Sequence, residues 1–192
     1  MDQHALQSIG RFALWLVPDE TYGGQLAEVM GRLREQYGGP PFAPHVTLLE
    51  SVIGKGDDLA AKTESLAGNL RTMPAHALRL VMEPYYFRSL YLKLEPATDI
   101  VQAHAQAAQE FGIEPHPSFR PHLSLLYGLI PRKTKIEIGQ QIHQDLPAEF
   151  SLARLQLVRL ALAVADWKAV VDLPLAVADW KTVVDRPQGA DD

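Results

Sequence analysis

Two segments of the chain set a histidine and a hydroxyl two residues apart: His45 with Thr47, and His122 with Ser124. In an extended strand side chains alternate between faces, so each pair points the same way, roughly 6–7 Å apart along the strand. If the two strands are neighbours, two imidazoles and two hydroxyls converge, a complete set for opening a phosphodiester. One neutral imidazole takes a proton from water, and the other, as imidazolium, gives one to the leaving ribose oxygen. The hydroxyls donate to the non-bridging oxygens, and those bonds strengthen as charge builds on phosphorus. Histidine suits both roles because its unperturbed pKa lies near 6.5. The two rings must hold opposite protonation states at once, which predicts a bell-shaped pH–rate profile. Neither segment offers the carboxylate or third histidine of a metal site, so no metal and no cofactor is expected.

A single strand histidine is ordinarily a structural residue, but here the surroundings are duplicated. Phe42-Ala-Pro-His-Val-Thr-Leu-Leu49 aligns with Phe119-Arg-Pro-His-Leu-Ser-Leu-Leu126, identical at five of eight positions and offset by 77 residues. Matching segments in matching halves predict two similar lobes related by a pseudo-twofold axis. Pro44 and Pro121 lack an N–H, which suits the first position of a strand and fixes where each histidine emerges. Phe42 and Phe119, three places before each histidine, are candidates for the pocket wall. Phe87 is another, with plain core packing the alternative for all three.

The elements that must carry these residues read as mixed. Residues 11–17 form an apolar strand stopped by Pro18. A helix over 24–37 shows Leu26, Val29, Met30, Leu33 and Tyr37 at helical spacing and ends at Gly38-Gly39-Pro40-Pro41. A strand over 45–51, a loop at Gly54–Asp58 and a helix over 58–71 follow. Strands at 77–83 and 87–95 meet near Pro84. Thr98 is suited to cap a helix reaching Phe111, closed by Gly112. The loop Pro115–Pro121 leads to a strand at 122–127, a weaker helix over 133–145, and strands at about 150–160 and 162–172. Strands adjacent in sequence favour an α+β fold with antiparallel sheets over a doubly wound parallel one. No Gly-x-Gly-x-x-Gly and no Walker-type loop is present.

The 192 residues suffice for one domain with a real core. Net charge is −5, a poor match to extended nucleic acid bound over the whole surface. There are no cysteines, which excludes disulfides, thiolate nucleophiles and cysteine-ligated metals. The apolar run Phe12–Val17 is too short for a signal core or a membrane span, so the expected location is the cytoplasm. A second repeat lies at the C-terminus, where 162–174 and 175–187 are identical at 11 of 13 positions. Only one copy can fill the terminal slot of a sheet. The other lies elsewhere, frays, or pairs with another chain through an exposed edge. The expected organisation is one bilobal domain over 1–174, with 175–192 a duplicated strand segment and tail. The expected state is a monomer, with the duplicate strand offering a route to a dimer.

Pro44-His-Val-Thr-Leu48 and Pro121-His-Leu-Ser-Leu125 resemble the paired motifs of the two-histidine (2H) phosphoesterase superfamily. Phe12–Pro18, Gly38–Thr47, Tyr86–Leu94 and Pro121–Tyr127 extend the resemblance, in order, to the cyclic phosphodiesterase branch of the plant and yeast type, over about 11–174. The resemblance implies a bilobal α+β fold, two antiparallel sheets related by a pseudo-twofold with outer helices, and a site in the central cleft. It implies hydrolysis of ADP-ribose 1″,2″-cyclic phosphate and of nucleoside 2′,3′-cyclic phosphates to 2′-phosphates. It makes His45 and His122 acid and base, with Thr47 and Ser124 as phosphate holders. Tyr127 matches an aromatic near the substrate, although strict alternation sets it on the face opposite His122. That placement asks for a bulge or a strand end there. The branch often has tyrosine where Phe119 stands. RNA-end processing of the related 2′–5′ RNA ligase-like kind is the competing enzyme reading, and a nucleotide-binding module without turnover the non-catalytic one. Trp15 reads as core, His104 and His143 as surface or boundary residues, and His116 as outside the pocket. Arg88, Arg120 and Lys93 read as solvated charges on a loop or strand edge, with attraction of a phosphate or pyrophosphate the alternative.

Overall fold

The computed structural model of the protein describes residues 7–177. Seven strands are present there: β1 Ile9–Pro18, β2 Val46–Lys55, β3 Met73–Met82, β4 Leu90–Leu94, β5 His122–Leu126, β6 Glu149–Arg159 and β7 Lys168–Pro174. Four α-helices accompany them: α1 Glu20–Tyr37, α2 Gly56–Asn69, α3 Thr98–Phe111 and α4 Arg132–Ile142. All pairings between the strands are antiparallel, in the order β1-β2-β5-β4-β3-β6-β7, and β1 also pairs with β6. That extra pairing closes the first six strands into a ring. The class is therefore α+β, with a closed antiparallel sheet where two separate sheets were expected. The seam joining the two histidine strands is thin, a single pair between Val46 and Leu123. β7 takes the stretch of β6 that β3 leaves free: β3 pairs with it up to Leu152, and β7 from Arg154 onward.

The ring has two differently furnished faces because β1 alternates. Phe12, Leu14 and Leu16 join the main core beneath the helices, whereas Ala13 and Trp15 pack with Val158 on the opposite face. Helix α1 buries Leu26, Val29, Met30 and Leu33 against that main core, each contributing about 1.5–3 kcal/mol relative to exposure. Asp19 caps it by accepting from the Tyr22 backbone N–H at 3.0 Å. Gly38 and Gly39 end it with φ of 80° and 105°, a region open to glycine. Among the described residues no helix is long and apolar enough to cross a membrane.

Several boundaries differ from expectation for local reasons. There is no loop at Gly54–Asp58: β2 runs to Lys55 and α2 starts at Gly56, with the Leu59 side chain seated where a Cβ on Gly54 would stand 3.3 Å away. Residues 87–89 are not strand. Tyr86–Arg88 form a 3-10 turn, and the Glu83 N–H donates to Ser89 O, so the β3–β4 connection is a closed loop over 83–89. Residues 162–167 are irregular because a 3-10 turn intervenes at Val164–Asp166 and the Trp167 indole N–H donates to Ala161 O. A 3-10 turn at His143–Asp145 replaces the end of the fourth predicted helix. Thr98 lies inside α3, and Ala97 at the cap position makes no side-chain cap bond. His104 is buried, not a boundary residue. Its Nδ1–H donates to Leu48 O at 2.9 Å and its Nε2 accepts from the His116 backbone N–H at 3.1 Å, tying α3 to β2. Of the duplicated segment, Leu175–Val177 are described. Leu175 is buried and bonds Ala153 O, and Ala176 bridges to Arg71. Residues 178–187, and with them the expected pairing of the second copy, lie outside the described residues.

Candidate active site

The antiparallel pair Val46–Leu123 sets the register of the two motifs. Carried one residue to either side, it places His45 beside Ser124 and Thr47 beside His122, so each histidine meets the hydroxyl of the other motif. Val46 and Leu123 point into the core and are fully buried. Strand alternation therefore turns the four chemical residues to the opposite face. All four line one cavity of about 540 Å³, together with Tyr127 and Phe87 and with Arg11, Trp15, Glu50, Arg88 and Trp167.

The two histidines are held alike. His45 Nδ1 lies 2.7 Å from Ala43 O and His122 Nδ1 lies 3.0 Å from Arg120 O, in each case the carbonyl two residues back across the proline. A carbonyl only accepts, so each Nδ1 carries the proton and each Nε2 keeps the free lone pair when the ring is neutral. The rings differ in depth. His45 is buried with its face stacked on Trp15, centroids 3.6 Å apart and 9° from parallel. Burial pushes its pKa down to about 4, and the neighbouring His122 pushes the same way. His122 is half-buried, with the Tyr91 ring edge-on at 5.1 Å. Its pKa is lowered by burial foremost and by Arg88, against the raising effect of its backbone hydrogen bond, Glu50 and Glu83.

Tyr127 stands one residue beyond the end of β5, which frees it from the strand's alternation. Its ring stacks on Phe42 at 3.8 Å and 9°. Burial raises the phenol's pKa, against a lowering influence of Ser124, so it remains a neutral donor. Ser124 Oγ donates to Phe87 O at 3.2 Å, a bond that an anion in the cavity can replace. Phe87 is half exposed and stacks at 6.1 Å on Trp167. Phe42 touches His45 edge-on and lines a neighbouring cavity of about 380 Å³ that shares Trp15 and Trp167. Phe119 is placed elsewhere. It stacks on His104 at 4.0 Å and 5°, packs against the main core, and does not line the active cavity.

Several lining residues, Arg11, Glu50 and Trp167 among them, were not assigned to the site from the sequence, and Trp15 and Arg88 were read as core and as solvated charge. Trp15 shares the strand face of Arg11 and Ala13 and opposes Phe12, Leu14 and Leu16, a parity visible in the sequence. Trp167 is brought in by the β6–β7 connection, which no local pattern announces. Arg88 reaches the cavity from the 3-10 turn, whereas the strand reading set it on the face of Leu90, Leu92 and Leu94. Among the described residues no three His, Asp or Glu side chains gather where a metal ion could be held.

The 2′-5′ RNA ligase superfamily model matches residues 18–162. The chain is 27% identical over 155 residues to the cyclic phosphodiesterase of Arabidopsis thaliana, covering 81% of this chain and 85% of that protein. Among solved structures, E. coli LigT complexed with 3′-AMP superposes with a TM-score of 0.57 at 15% identity, over 88% of this chain and 99% of that one. TT0787 of Thermus thermophilus gives 0.56 at 18%, over 87% and 98%. With its paired histidine strands and this match over most of its length, the chain belongs to the 2′-5′ RNA ligase superfamily of two-histidine phosphoesterases, hydrolases of phosphodiester bonds.

Proposed function

We propose that the protein is a metal-independent cyclic phosphodiesterase, opening nucleoside 2′,3′-cyclic phosphates to 2′-phosphates and ADP-ribose 1″,2″-cyclic phosphate at the same site. The observation that carries this is the matched pair of Nδ1–H···O=C bonds, at 2.7 Å and 3.0 Å, on two histidines that line one cavity with Thr47 and Ser124. Each bond fixes a tautomer with Nε2 free for proton transfer.

The deeper ring is the base. Burial keeps His45 neutral, so its Nε2 takes the proton of the attacking water. His122, less buried and with Glu50 and Glu83 favouring its cation, donates from Nε2–H to the leaving ribose oxygen. Water adds to phosphorus, the P–O bond to the ribose breaks, and the ring opens to a phosphomonoester. The bound phosphate anion raises the pKa of both rings, which strengthens the base and holds the acid protonated. Thr47, Ser124 and the Tyr127 phenol donate to the non-bridging oxygens. Arg11 and Arg88 on the lining suit the added charge of a pyrophosphate. The Arabidopsis relative's name supports the cyclic substrate class.

The finer symmetry belongs to the same reading: β1-α1-β2-α2-β3 and β4-α3-β5-α4-β6 are two copies of one unit related by a pseudo-twofold axis. Exchanging the halves leaves the ring order β1-β2-β5-β4-β3-β6 unchanged, which supports it. The two units are the lobes of a single domain, and the partner is the small substrate.

The test is hydrolysis of a 2′,3′-cyclic nucleotide in excess EDTA, wild type beside His122→Ala. Turnover to a 2′-phosphate, lost in the variant, is expected. Wild-type turnover abolished by EDTA and restored by a divalent cation would overturn the metal-free mechanism. Absence of turnover would direct the assay to ADP-ribose cyclic phosphate and then to RNA ends.

A further inference from the structure

Behind the cavity wall Glu83 is held through its backbone and one carboxylate oxygen, with a cation beside the other. The Glu83 backbone N–H donates to Ser89 O at 3.2 Å, and its carbonyl accepts from the Lys135 ammonium at 2.7 Å. Its Oε1 accepts from the Tyr91 hydroxyl at 3.0 Å. Its Oε2, shielded from water, meets Arg88 Nε at 3.2 Å as a charge contact and not as an aligned hydrogen bond. Lys135 comes from α4 and is itself buried, so the anchor reaches from the helix layer to the sheet.

Both side-chain partners of Glu83 border the site. The Tyr91 ring is buried and stands edge-on to the His122 imidazole, centroids 5.1 Å apart and 63° between planes. Tyr91 is also paired across the strands with Ser124. Arg88 lines the cavity and holds its guanidinium 5.5 Å from the centre of the Tyr85 ring. Neither Glu83 nor Tyr91 lines the cavity, so neither can touch a ligand there.

We infer that Glu83 is a positioning residue for the reaction. Through Tyr91 it fixes the plane of the His122 ring, and through Arg88 it fixes the cationic wall beside it. This rests on His122 acting as the acid. The Nδ1–H···O=C bond to Arg120 alone leaves the ring free to tilt about that bond, and the tyrosine edge removes the tilt. A donor Nε2–H misaligned by a fraction of an ångström loses rate, because proton transfer depends on the reacting geometry. The carboxylate also favours the imidazolium. The groups facing His122 are Arg88 from the turn, Glu50 and His45 from β2 and its approach, Glu83 and Tyr91 from the β3–β4 connection and β4, and Lys93 as its cross-strand neighbour.

Two variants separate the charge from the anchor. Glu83→Gln keeps an oxygen to accept from Tyr91 and removes the negative charge. Tyr91→Phe keeps the ring and removes its tether. Each should melt with a wild-type transition shape, lower kcat by about tenfold and leave KM within about twofold, the signature of a lost transition-state interaction. In Glu83→Gln the alkaline limb of the pH profile and the NMR titration midpoint of His122 should both move to lower pH by about half a unit. In Tyr91→Phe the midpoint should stay. A Glu83→Gln protein with an unchanged His122 midpoint and unchanged kcat overturns the inference. So does an effect confined to KM, which would mean that Glu83 serves only the ligand-facing Arg88. If the wild type opens no cyclic phosphate, the reading of the reaction fails separately, and the His122 midpoint in the two variants still decides the role of Glu83.

Discussion

At the scale of single residues, the site is two imidazoles made unequal by depth. His45 is sealed against Trp15, while His122 stands at the rim of the ring. His45→Ala and His122→Ala should each lower turnover by roughly 10²–10⁴-fold, measured on a 2′,3′-cyclic nucleotide with circular dichroism confirming the fold. The pH dependence of kcat/KM reports the free enzyme. The base must be neutral, so activity falls as pH drops through about 4. The acid must be protonated, so activity falls as pH rises through the pKa of His122, which burial holds below the ordinary 6.5. The expected optimum is therefore acidic, and the alkaline limb of kcat should lie higher than that of kcat/KM once the bound anion favours the imidazolium. A kcat/KM optimum above neutrality would contradict the depth argument. The motif residues were legible in the sequence because a repeat of eight residues is a local signal. Trp15 was legible only as an apolar strand residue, since nothing local says that its face is the site and not the core.

At the scale of elements, short connections aim the aromatic wall. Gly39, just past α1, approaches the backbone of Tyr127 so closely that a Cβ there would stand 2.7 Å from its carbonyl oxygen, and its φ is 105°. Gly39→Ala should therefore lower stability by about 1–3 kcal/mol in denaturant titration. It should also raise KM, because Tyr127 and its stack on Phe42 must shift. An unchanged melting curve would show that the turn absorbs the Cβ. The C-terminal repeat makes a second case. Leu175 is buried and Ala176 bridges to Arg71, so the folded unit extends past Pro174. Truncation after Val177 should leave activity within about twofold, whereas truncation after Pro174 should cost about 1.5–3 kcal/mol through the lost Leu175 side chain. A folded but inactive chain ending at Val177 would mean that the second copy shapes the site. The strands and α1 were readable from periodicity and glycine punctuation. The 3-10 turn at Tyr86–Arg88 was not, because its alternating residues imitate a strand.

At the scale of the whole molecule, burying a histidine in neutral form links stability to pH. The pKa of His45 is about 4 when folded, against 6.5 for the exposed ring. Between those values the unfolded chain binds the extra proton, so stability falls as pH drops from about 6.5 and the loss is complete below about 4. The full difference amounts to about 3 kcal/mol. His45→Gln should flatten that part of the stability profile, measured by urea unfolding at several pH values. Parallel slopes in wild type and variant would show that the ring is already solvated in the folded state.

What the sequence by itself determined is local or repeated: the strand and helix content, the α+β class, and the four residues of the two motifs. Pattern and duplication are written in neighbouring letters, and neighbouring letters set alternation, capping and turn chemistry. Only the tertiary structure decided how the halves meet. The β1–β6 pairing turned two expected sheets into one ring, the single Val46–Leu123 pair set histidine against hydroxyl, and the loops carried Trp167 and Arg88 to the cavity. Phe119 shows the same limit from the other side. It is the direct sequence counterpart of Phe42, yet it stacks on His104 of α3 while Phe42 stacks on Tyr127, partners that no local pattern announces. Long-range pairing and relative burial depend on residues distant in the chain, so they set the depth of each histidine, on which the proposed choice of base rests.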